Sequence, residues 1–234
     1  MYFMQFGWLW QNYDTLLYGA LTTILLTIGA CAAGSAIGII VGLCRHRGNL
    51  LLRTCGAAYV EAIRNTPLLV QAFIIYFGLS SVGFRLDPLP AALVALVINC
   101  GAYSAEIFRA GFQSIPPAQK EAAESLALSK IQTFVYVILP QALRNIWVPL
   151  SGQFILIMLA SSIVSQISAE ELTAAASQIQ SQTFRSFEVY VVLAALYLAL
   201  SIVLKTVLVR MGIFFFPEQR ILRRSAKRAR SRGR

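Results

Sequence analysis

Long runs of apolar residues constrain this chain more than any other feature of its sequence. Of its 234 residues, 57% are hydrophobic and only 13% are charged, which is about half the charged share of an average soluble domain. Several of the runs reach the roughly 20 residues that a helix needs to cross the hydrocarbon core of a bilayer. The sequence therefore predicts an all-α, polytopic membrane protein with little chain left over for a soluble domain.

Five apolar segments are long enough to span a membrane. The predicted spans are 16–43, 51–79, 91–110, 147–167 and 189–209. The basic residues that follow the first span and occupy the loop after the third are Arg45, His46, Arg47, Arg53, Lys120, Lys130 and Arg144. Lys and Arg are enriched in cytoplasmic loops. We therefore expect about five transmembrane helices, with the amino terminus outside and the carboxyl terminus in the cytoplasm.

The predicted organisation has three parts. An external amino-terminal segment covers residues 1–14, the transmembrane domain covers 15–216, and a basic cytoplasmic tail covers 217–234. Within the domain, a cytoplasmic loop covers 111–146 and an external loop covers 168–187. The chain contains no GxxxxGK[ST] sequence, so another subunit must bind ATP if ATP drives this protein.

The net charge of +10 depends largely on the basic tail. Its cations are Arg220, Arg223, Arg224, Lys227, Arg228, Arg230, Arg232 and Arg234. A tail of this kind after a last span suits the cytoplasmic side and anionic lipid. No folded platform or interleaved aromatic residues accompany it, so we expect no nucleic-acid partner. The four cysteines lack metal-ligand spacing, and we expect neither a metal site nor a disulfide.

The segment 111–144 is polar and lies between two apolar spans. Pro116 and Pro117 favour the first turn of a helix, where a missing N–H costs nothing. In the helix that follows, Ala122, Ala123, Leu126 and Ala127 fall on one side and form a narrow, nearly smooth apolar face. Ser129 with Gln132 then predicts a capping box that begins a second helix. Pro140 is expected to end or kink that helix.

The second span is interrupted by Asn65-Thr66-Pro67, and Pro67 is expected to kink it. Glu61 and Arg64 stand three residues apart, so the pattern predicts that they pair on one helix face. Charged residues beside a broken helix at membrane depth are candidates for a functional site. The alternative is that Glu61 and Arg64 lie at the cytoplasmic headgroup level and only anchor the helix.

Further polar residues lie in the third and fourth spans. Glu106 and Arg109 repeat the spacing of Glu61 and Arg64 and are predicted to brace helices, with both pairs in one network. Asn99 and Tyr103 could form a structural hydrogen bond or contact a substrate. Gln153, Ser161 and Ser162 belong to a polar seam along the fourth span.

The external loop is predicted to contain a helix of its own. Ser168 with Glu171 matches a second capping box, and the helix is expected to continue through about Gln182. Its acidic start and its many Ser and Gln residues favour a docking surface for an external partner.

Three motifs resemble those of a known family. The loop sequence Glu121-Ala122-Ala123, followed by Leu139-Pro140-Gln141-Ala142 and Arg144, resembles the EAA loop of bacterial ABC importer permeases. The stretches 64–71 (RNTPLLVQ) and 102–111 (AYSAEIFRAG) resemble further signatures of the histidine/glutamine-type permeases of polar amino-acid importers. Ala127 stands where that family usually has Gly. Leu159-Ala160 stands where relatives often have a polar or charged residue.

The resemblance implies a type I ABC importer permease fold in the bacterial cytoplasmic (inner) membrane, and a subunit that forms a translocation pathway. It implies four partners for a chain surrounded by lipid: a second permease, identical or paralogous; a dimer of ATP-binding cassette subunits; a periplasmic substrate-binding protein; and an amino-acid substrate. ATP and Mg would bind the ATPase, and this chain would hold no cofactor. Motion of the ATPase would drive alternating access.

The resemblance also assigns roles to residues. Those expected to couple to the ATPase are Glu121, Ala122, Ala123, Leu126 and Ala127, in a coupling helix expected to extend to Leu128. The candidates for the translocation pathway are Glu61, Arg64, Asn65, Thr66, Gln71, Asn99, Tyr103, Gln153, Ser161 and Ser162.

Three alternatives fit the composition less well. An ion-coupled secondary amino-acid transporter would favour inverted repeats and a lone acid deep in a span, whereas the acids here stand beside arginines near the cytoplasmic side. A membrane scaffold does not need a broken helix or a polar span. An enzyme would need a nucleophile–base or metal constellation, which the sequence does not offer, so we expect no catalytic residues.

Overall fold

The computed structural model describes residues 6–216, and this part of the chain is helical with no strand. Its helices are α1 (Trp8–Gln11), α2 (Tyr13–Arg47), α3 (Leu50–Arg64), α4 (Leu68–Ser81), α5 (Pro88–Gln113), α6 (Pro117–Ser125), α7 (Lys130–Ile167), α8 (Leu172–Thr183) and α9 (Ser186–Phe215). The basic tail lies outside the described residues, as do residues 1–5.

Four helices, α2, α5, α7 and α9, are individually long and apolar enough to cross a membrane. The pair α3 and α4 qualifies only when taken together, and it bends by 106° at its break. The predicted all-α, multi-pass fold is confirmed. The count of about five spans corresponds to four continuous helices and one broken span.

The contact between α2 and α5 depends on glycine. A Cβ atom added to Gly34 would lie 2.6 Å from the Cβ atom of Cys100, and one added to Gly38 would lie 2.6 Å from that of Ser104. Neither contact leaves room for a side chain. Gly34 and Gly38 stand four residues apart, and a small-xxx-small pair of this kind allows two backbones to pack closely.

The break between α3 and α4 is held by one amide side chain. Pro67 is extended, with φ −64° and ψ 140°. The Gln71 amide nitrogen donates to the carbonyl oxygen of Ile63 at 2.7 Å and to that of Thr66 at 3.0 Å. Gln71 therefore satisfies backbone groups that the interrupted helix leaves without partners.

The sequence predicted that Pro140 ends or kinks a helix and that the fourth span starts near Trp147. Helix α7 differs from both predictions. The helix begins at the predicted capping box of Ser129 and Gln132, which is present. It then passes Pro140 without ending, because a π-helical turn at Thr133–Ile138 precedes the proline. Such a turn shifts the hydrogen-bond ladder by one residue and so removes the clash that proline causes in a regular helix. The fourth span therefore continues a helix that begins at Lys130, not near Trp147.

The second predicted capping box, at Ser168, is wrong. Ser168 ends α7 in a left-handed conformation, with φ 62°. Glu171 is itself the N-cap of α8, and its carboxylate accepts hydrogen bonds from the amide nitrogens of Thr173 and Ala174. The external helix forms as predicted, but Glu171 is buried and so cannot be part of a docking surface.

Helix α9 exposes apolar side chains along most of its length. Only 11% of its most apolar stretch is buried, and Leu198, Ile202 and Val203 are among its exposed residues. A soluble protein would not leave such a surface uncovered. Contact with lipid explains it.

Candidate functional site

An open cleft of about 530 Å³ lies where the break between α3 and α4 faces α5 and α7. Six of the predicted pathway residues line it: Arg64, Asn65, Thr66, Asn99, Tyr103 and Gln153. The other lining residues are apolar, namely Pro67 and Leu68 at the break and Leu156, Ile157 and Ala160 of α7. The fold thus gathers polar groups from three separate segments around one cavity.

Arg64 is the charged group of this cleft. Its guanidinium lies over the ring of Tyr103, 5.2 Å from the centroid, which is within cation–π range. Among the residues that the structure describes, no carboxylate pairs with Arg64. The predicted pairing with Glu61 is wrong, because the Glu61 carboxylate instead accepts a hydrogen bond from the Asn65 amide at 2.9 Å. Arg64 is therefore left available to an anion.

Asn99 and Gln71 form a buried pair, in which the Asn99 amide donates to the Gln71 side-chain oxygen at 3.0 Å. Asn99 also lines the cleft, whereas Gln71 does not. The contact ties the broken helix to α5. Gln71 thus braces the break, and Asn99 both makes a structural hydrogen bond and lines the cleft.

Three other candidates lie away from the lining. Glu61 is exposed on α3. Ser161 is buried and donates to the carbonyl oxygen of Met158 in its own helix, and Ser162 donates likewise to Leu159. Both serines lie in the 3₁₀-helical end of α7. Their contacts satisfy the hydroxyl groups locally and do not place them in the cleft.

A second polar centre joins α2 to α5 near the cytoplasmic end. Glu106 forms salt bridges with Arg109, as predicted, and also with Arg45 of α2. Arg109 donates further to the Gln113 side-chain oxygen at 2.8 Å. The predicted single network with Glu61 and Arg64 does not form. Arg45 was missed, because nothing in its own basic loop indicates an acid 61 residues away.

Helix α6 carries the EAA sequence and presents two different faces. Ala123 is 2% exposed and packs within the chain, whereas Leu126 is 75% exposed. Glu121 and Ala122 are exposed as well. The predicted single apolar face is therefore divided. Ala123 faces this protein, while Glu121, Ala122 and Leu126 are free to contact another.

Helix α6 is shorter than expected and ends at Ser125 rather than Leu128. Ala127 follows in the left-handed region, with φ 56°. The amide nitrogen of Leu128 donates to the carbonyl oxygen of Ala123, and that of Ala127 donates to Glu124. This is the Schellman arrangement, in which the left-handed position favours glycine.

Replacing Ala127 by Gly should stabilise the chain by about 1 kcal/mol, because an L side chain in the left-handed region costs roughly that much. Thermal unfolding of the detergent-solubilised protein measures the change. Ala122→Gly is the matched control, since the same replacement inside α6 should destabilise by about 1 kcal/mol. A lower melting temperature for Ala127→Gly would contradict the assignment.

Helix α7 connects the two sites. Helix α6 packs against the π-helical turn of α7, and the Gln141 amide of α7 lies 3.4 Å from the Gln119 side-chain oxygen. Farther along α7, Gln153 and Ile157 line the cleft. The EAA helix and the cleft are therefore attached to one helix, so a displacement of α6 can reach the cleft through a single element.

Comparison with known proteins agrees with this arrangement. Residues 34–211 match the family of binding-protein-dependent transport system inner membrane components. The glutamine transport system permease protein GlnP of Escherichia coli (strain K12) is 37% identical over 89% of this chain and 97% of its own length. The octopine transport system permease protein OccM of Rhizobium meliloti is 32% identical over 96% of both chains.

Solved structures share the fold. A crystal structure of an amino acid ABC transporter with histidines superposes with a TM-score of 0.82 and 36% identity, covering 90% of this chain and 99% of the other. The MetNI methionine ABC transporter superposes with a TM-score of 0.76 at 21% identity, covering 91% and 99%, which shows likeness of fold alone. The chain has the type I ABC importer permease fold and belongs to the family of binding-protein-dependent transport system inner membrane components.

Proposed function

We propose that this chain is the membrane-spanning permease subunit of an ATP-driven importer of polar amino acids. The observation that carries the proposal is the attachment of the EAA helix and the polar cleft to the same helix, α7. An ion-coupled transporter has no need of a cytoplasmic helix with an outward face of Glu121, Ala122 and Leu126. A subunit driven by a separate ATPase does.

The mechanism follows from the two sites. A cytoplasmic ATPase dimer holds ATP and Mg and contacts the outward face of α6. When the ATPase dimer closes, α6 moves as a rigid body. Through the packing at Ala123, this motion displaces the first turns of α7. The middle of α7 then shifts against the break between α3 and α4 and changes access to the cleft. Such a change needs two states with different affinity for ATP and substrate, and no chemistry within this chain.

A second permease, identical or paralogous, completes the pathway. The cleft is open on one side, where Arg64, Asn65 and Thr66 are exposed and Leu156 is 59% exposed. Exposed polar groups at membrane depth need a partner. A second permease packed over this side would enclose them and form the pathway between the two subunits.

The substrate class follows from the relatives and from the cleft. Glutamine, octopine and L-cystine are the substances in the names of similar permeases. In the cleft, the Arg64 guanidinium suits a substrate carboxylate, and the Gln153 amide can bind polar side chains. We therefore propose a polar amino acid. A periplasmic binding protein would deliver it to the external side, in the bacterial inner membrane.

Uptake of radiolabelled glutamine, cystine and arginine by cells with and without this chain tests the proposal. Uptake of at least one of them should depend on the chain and should persist when an ionophore collapses the ion gradients while ATP is maintained. Uptake that stops with the ionophore would favour the ion-coupled transporter instead.

Mutation of Arg64 tests the cleft. In the same cells, Arg64→Gln should lower uptake roughly 10- to 150-fold, because a charge-assisted hydrogen bond contributes about 1.5–3 kcal/mol. Arg85→Gln is the matched control, since Arg85 is exposed in the short loop between α4 and α5 and does not line the cleft. Equal uptake by both variants would remove Arg64 from the pathway.

A further inference from the structure

A second cleft, of about 430 Å³, lies at the end that the basic loops place in the cytoplasm. We call it the basic cleft, and its lining residues are Arg47, Lys120, Glu124, Leu128, Lys130 and Thr133. These come from the end of α2, from α6 and the residues after it, and from the first turns of α7. The basic cleft is therefore separate from the polar cleft at the helix break.

The charges of the basic cleft do not balance. Three of its residues are cations and one is an acid. Lys120 pairs with that acid, Glu124, at 3.5 Å. Arg47 and Lys130 have no carboxylate within salt-bridge distance in the described part of the chain. Two positive charges are thus left to attract an anion.

The floor of the basic cleft holds an unsatisfied hydroxyl group. Thr133 is 3% exposed, and its Oγ1 atom is buried with no hydrogen-bond partner among residues 6–216. Buried hydroxyl groups are rarely left in this state, because the lost hydrogen bond costs free energy. The unpaired hydroxyl and the unpaired cations are independent observations, and an anionic ligand with several acceptor oxygens would satisfy both.

Exposed apolar residues stand close to these cations in the sequence. Ile131, next to Lys130, is 76% exposed, and Leu50 and Leu51, just after Arg47, are 81% and 70% exposed. Exposed leucine and isoleucine beside exposed basic residues suit the boundary between headgroups and acyl chains. Basic pockets on the cytoplasmic side of membrane helices bind anionic headgroups.

We infer that the basic cleft binds the phosphate group of an anionic phospholipid, with Arg47 and Lys130 as its charge partners and the Thr133 hydroxyl as a hydrogen-bond donor. A free phosphate offers the same chemistry, but it would leave the neighbouring leucines and Ile131 uncovered. The site lies between α6 and α7, so the lipid would stabilise the contact between these helices. The inference does not depend on the substrate or on the proposed transport cycle.

Native mass spectrometry of the full-length chain tests this inference. The chain is released from nanodiscs that contain phosphatidylcholine and phosphatidylglycerol in equal amounts, and the retained lipids are counted. The wild type should retain phosphatidylglycerol in preference to phosphatidylcholine. The double variant Arg47→Gln/Lys130→Gln should lower this retention roughly 25-fold, because each basic residue near an anionic surface contributes about a fivefold factor.

Two further variants separate a bound lipid from general surface charge. Thr133→Val keeps the side-chain volume and removes the hydroxyl, so it should lower retention roughly fivefold, the ordinary factor for one hydrogen bond. Arg53→Gln removes an exposed cation of α3 that does not line the basic cleft, and it should leave retention unchanged. Equal retention by all variants would overturn the inference.

Competition identifies the source of the phosphate. Inorganic phosphate added at millimolar concentration should not displace phosphatidylglycerol from the wild type. Full displacement would assign the basic cleft to free phosphate and overturn the lipid inference. Variants that keep phosphatidylglycerol but lose a copurifying ATP-binding subunit would overturn it as well, since the occupant would then be an acidic side chain of that subunit.

Discussion

Ala123→Leu should lower amino-acid uptake roughly 5- to 150-fold, which is the range expected when the coupling free energy between two sites is lost. Ala123 is buried where α6 packs against the π-helical turn of α7. The three additional carbon atoms of leucine have no free space at this buried position, so the larger side chain should tilt α6 away from α7. ATP hydrolysis should continue at its basal rate and lose its stimulation by substrate, which a parallel assay of the assembled complex measures.

Ala122→Leu distinguishes a loss of packing at Ala123 from a loss of contact with the ATPase, because Ala122 lies on the outward face of α6. Ala122 is the adjacent residue and is exposed, so the same substitution there should change the free energy of unfolding by less than about 0.5 kcal/mol. Ala123→Leu should destabilise the isolated chain by about 1–3 kcal/mol, as overpacking does. If both variants unfolded at the temperature of the wild type and transported normally, α6 would not transmit motion through Ala123.

Glu171→Ala should destabilise the chain by about 3 kcal/mol, the upper end of the cost of leaving buried hydrogen-bonding groups unsatisfied. The buried carboxylate accepts hydrogen bonds from the Tyr197 hydroxyl at 2.7 Å and from Thr23 at 3.3 Å, besides those from the two amide groups that it caps. It therefore holds α8 to both α2 and α9. Its removal leaves several buried donors without an acceptor, and uptake should fall together with stability.

Thermal unfolding in detergent measures this effect, with Glu170→Ala as the matched control. Glu170 is the exposed neighbour, and its replacement should change stability by less than about 0.5 kcal/mol. In Glu171→Gln, the remaining amide oxygen can still accept two hydrogen bonds. This variant should therefore be more stable than Glu171→Ala and less stable than the wild type. A wild-type melting temperature for Glu171→Ala would show that the carboxylate does not anchor α8.

Features governed by neighbours in the sequence could be predicted from it. The capping box of Ser129 and Gln132 depends on residues three apart, and the break at Pro67 depends on the proline itself. The contact between Glu106 and Arg109 spans one helical turn, and the close packing at Gly34 and Gly38 follows from the absence of a side chain. In each case, the physical cause lies within a few residues.

Features that depend on distant partners could not be predicted. Arg45 meets Glu106 across 61 positions, and Glu171 meets Tyr197 across 26, so their pairing exists only after the helices pack. Helix α7 continues past Pro140 because a π-helical turn precedes the proline, and no residue pattern in the sequence predicts that turn.

Ala127 is a different case, because a signal was present. The related permeases usually have Gly at that position, and a preferred glycine indicates a backbone with positive φ. The prediction that Ala127 belongs to an apolar helix face was therefore wrong. The Gly of the related permeases already indicated a left-handed residue at this position. The consequence is that α6 ends one turn earlier and exposes Leu126.

Copurification tests the central claim most directly. The tagged full-length chain is extracted in mild detergent, and the proteins bound to it are identified by mass spectrometry. We predict that an ATP-binding cassette subunit copurifies with the wild type, that Glu121→Ala/Leu126→Ala abolishes its recovery, and that the control Ala118→Ser retains it. Recovery of the chain without any ATP-binding subunit, together with uptake that an ionophore abolishes, would contradict the account.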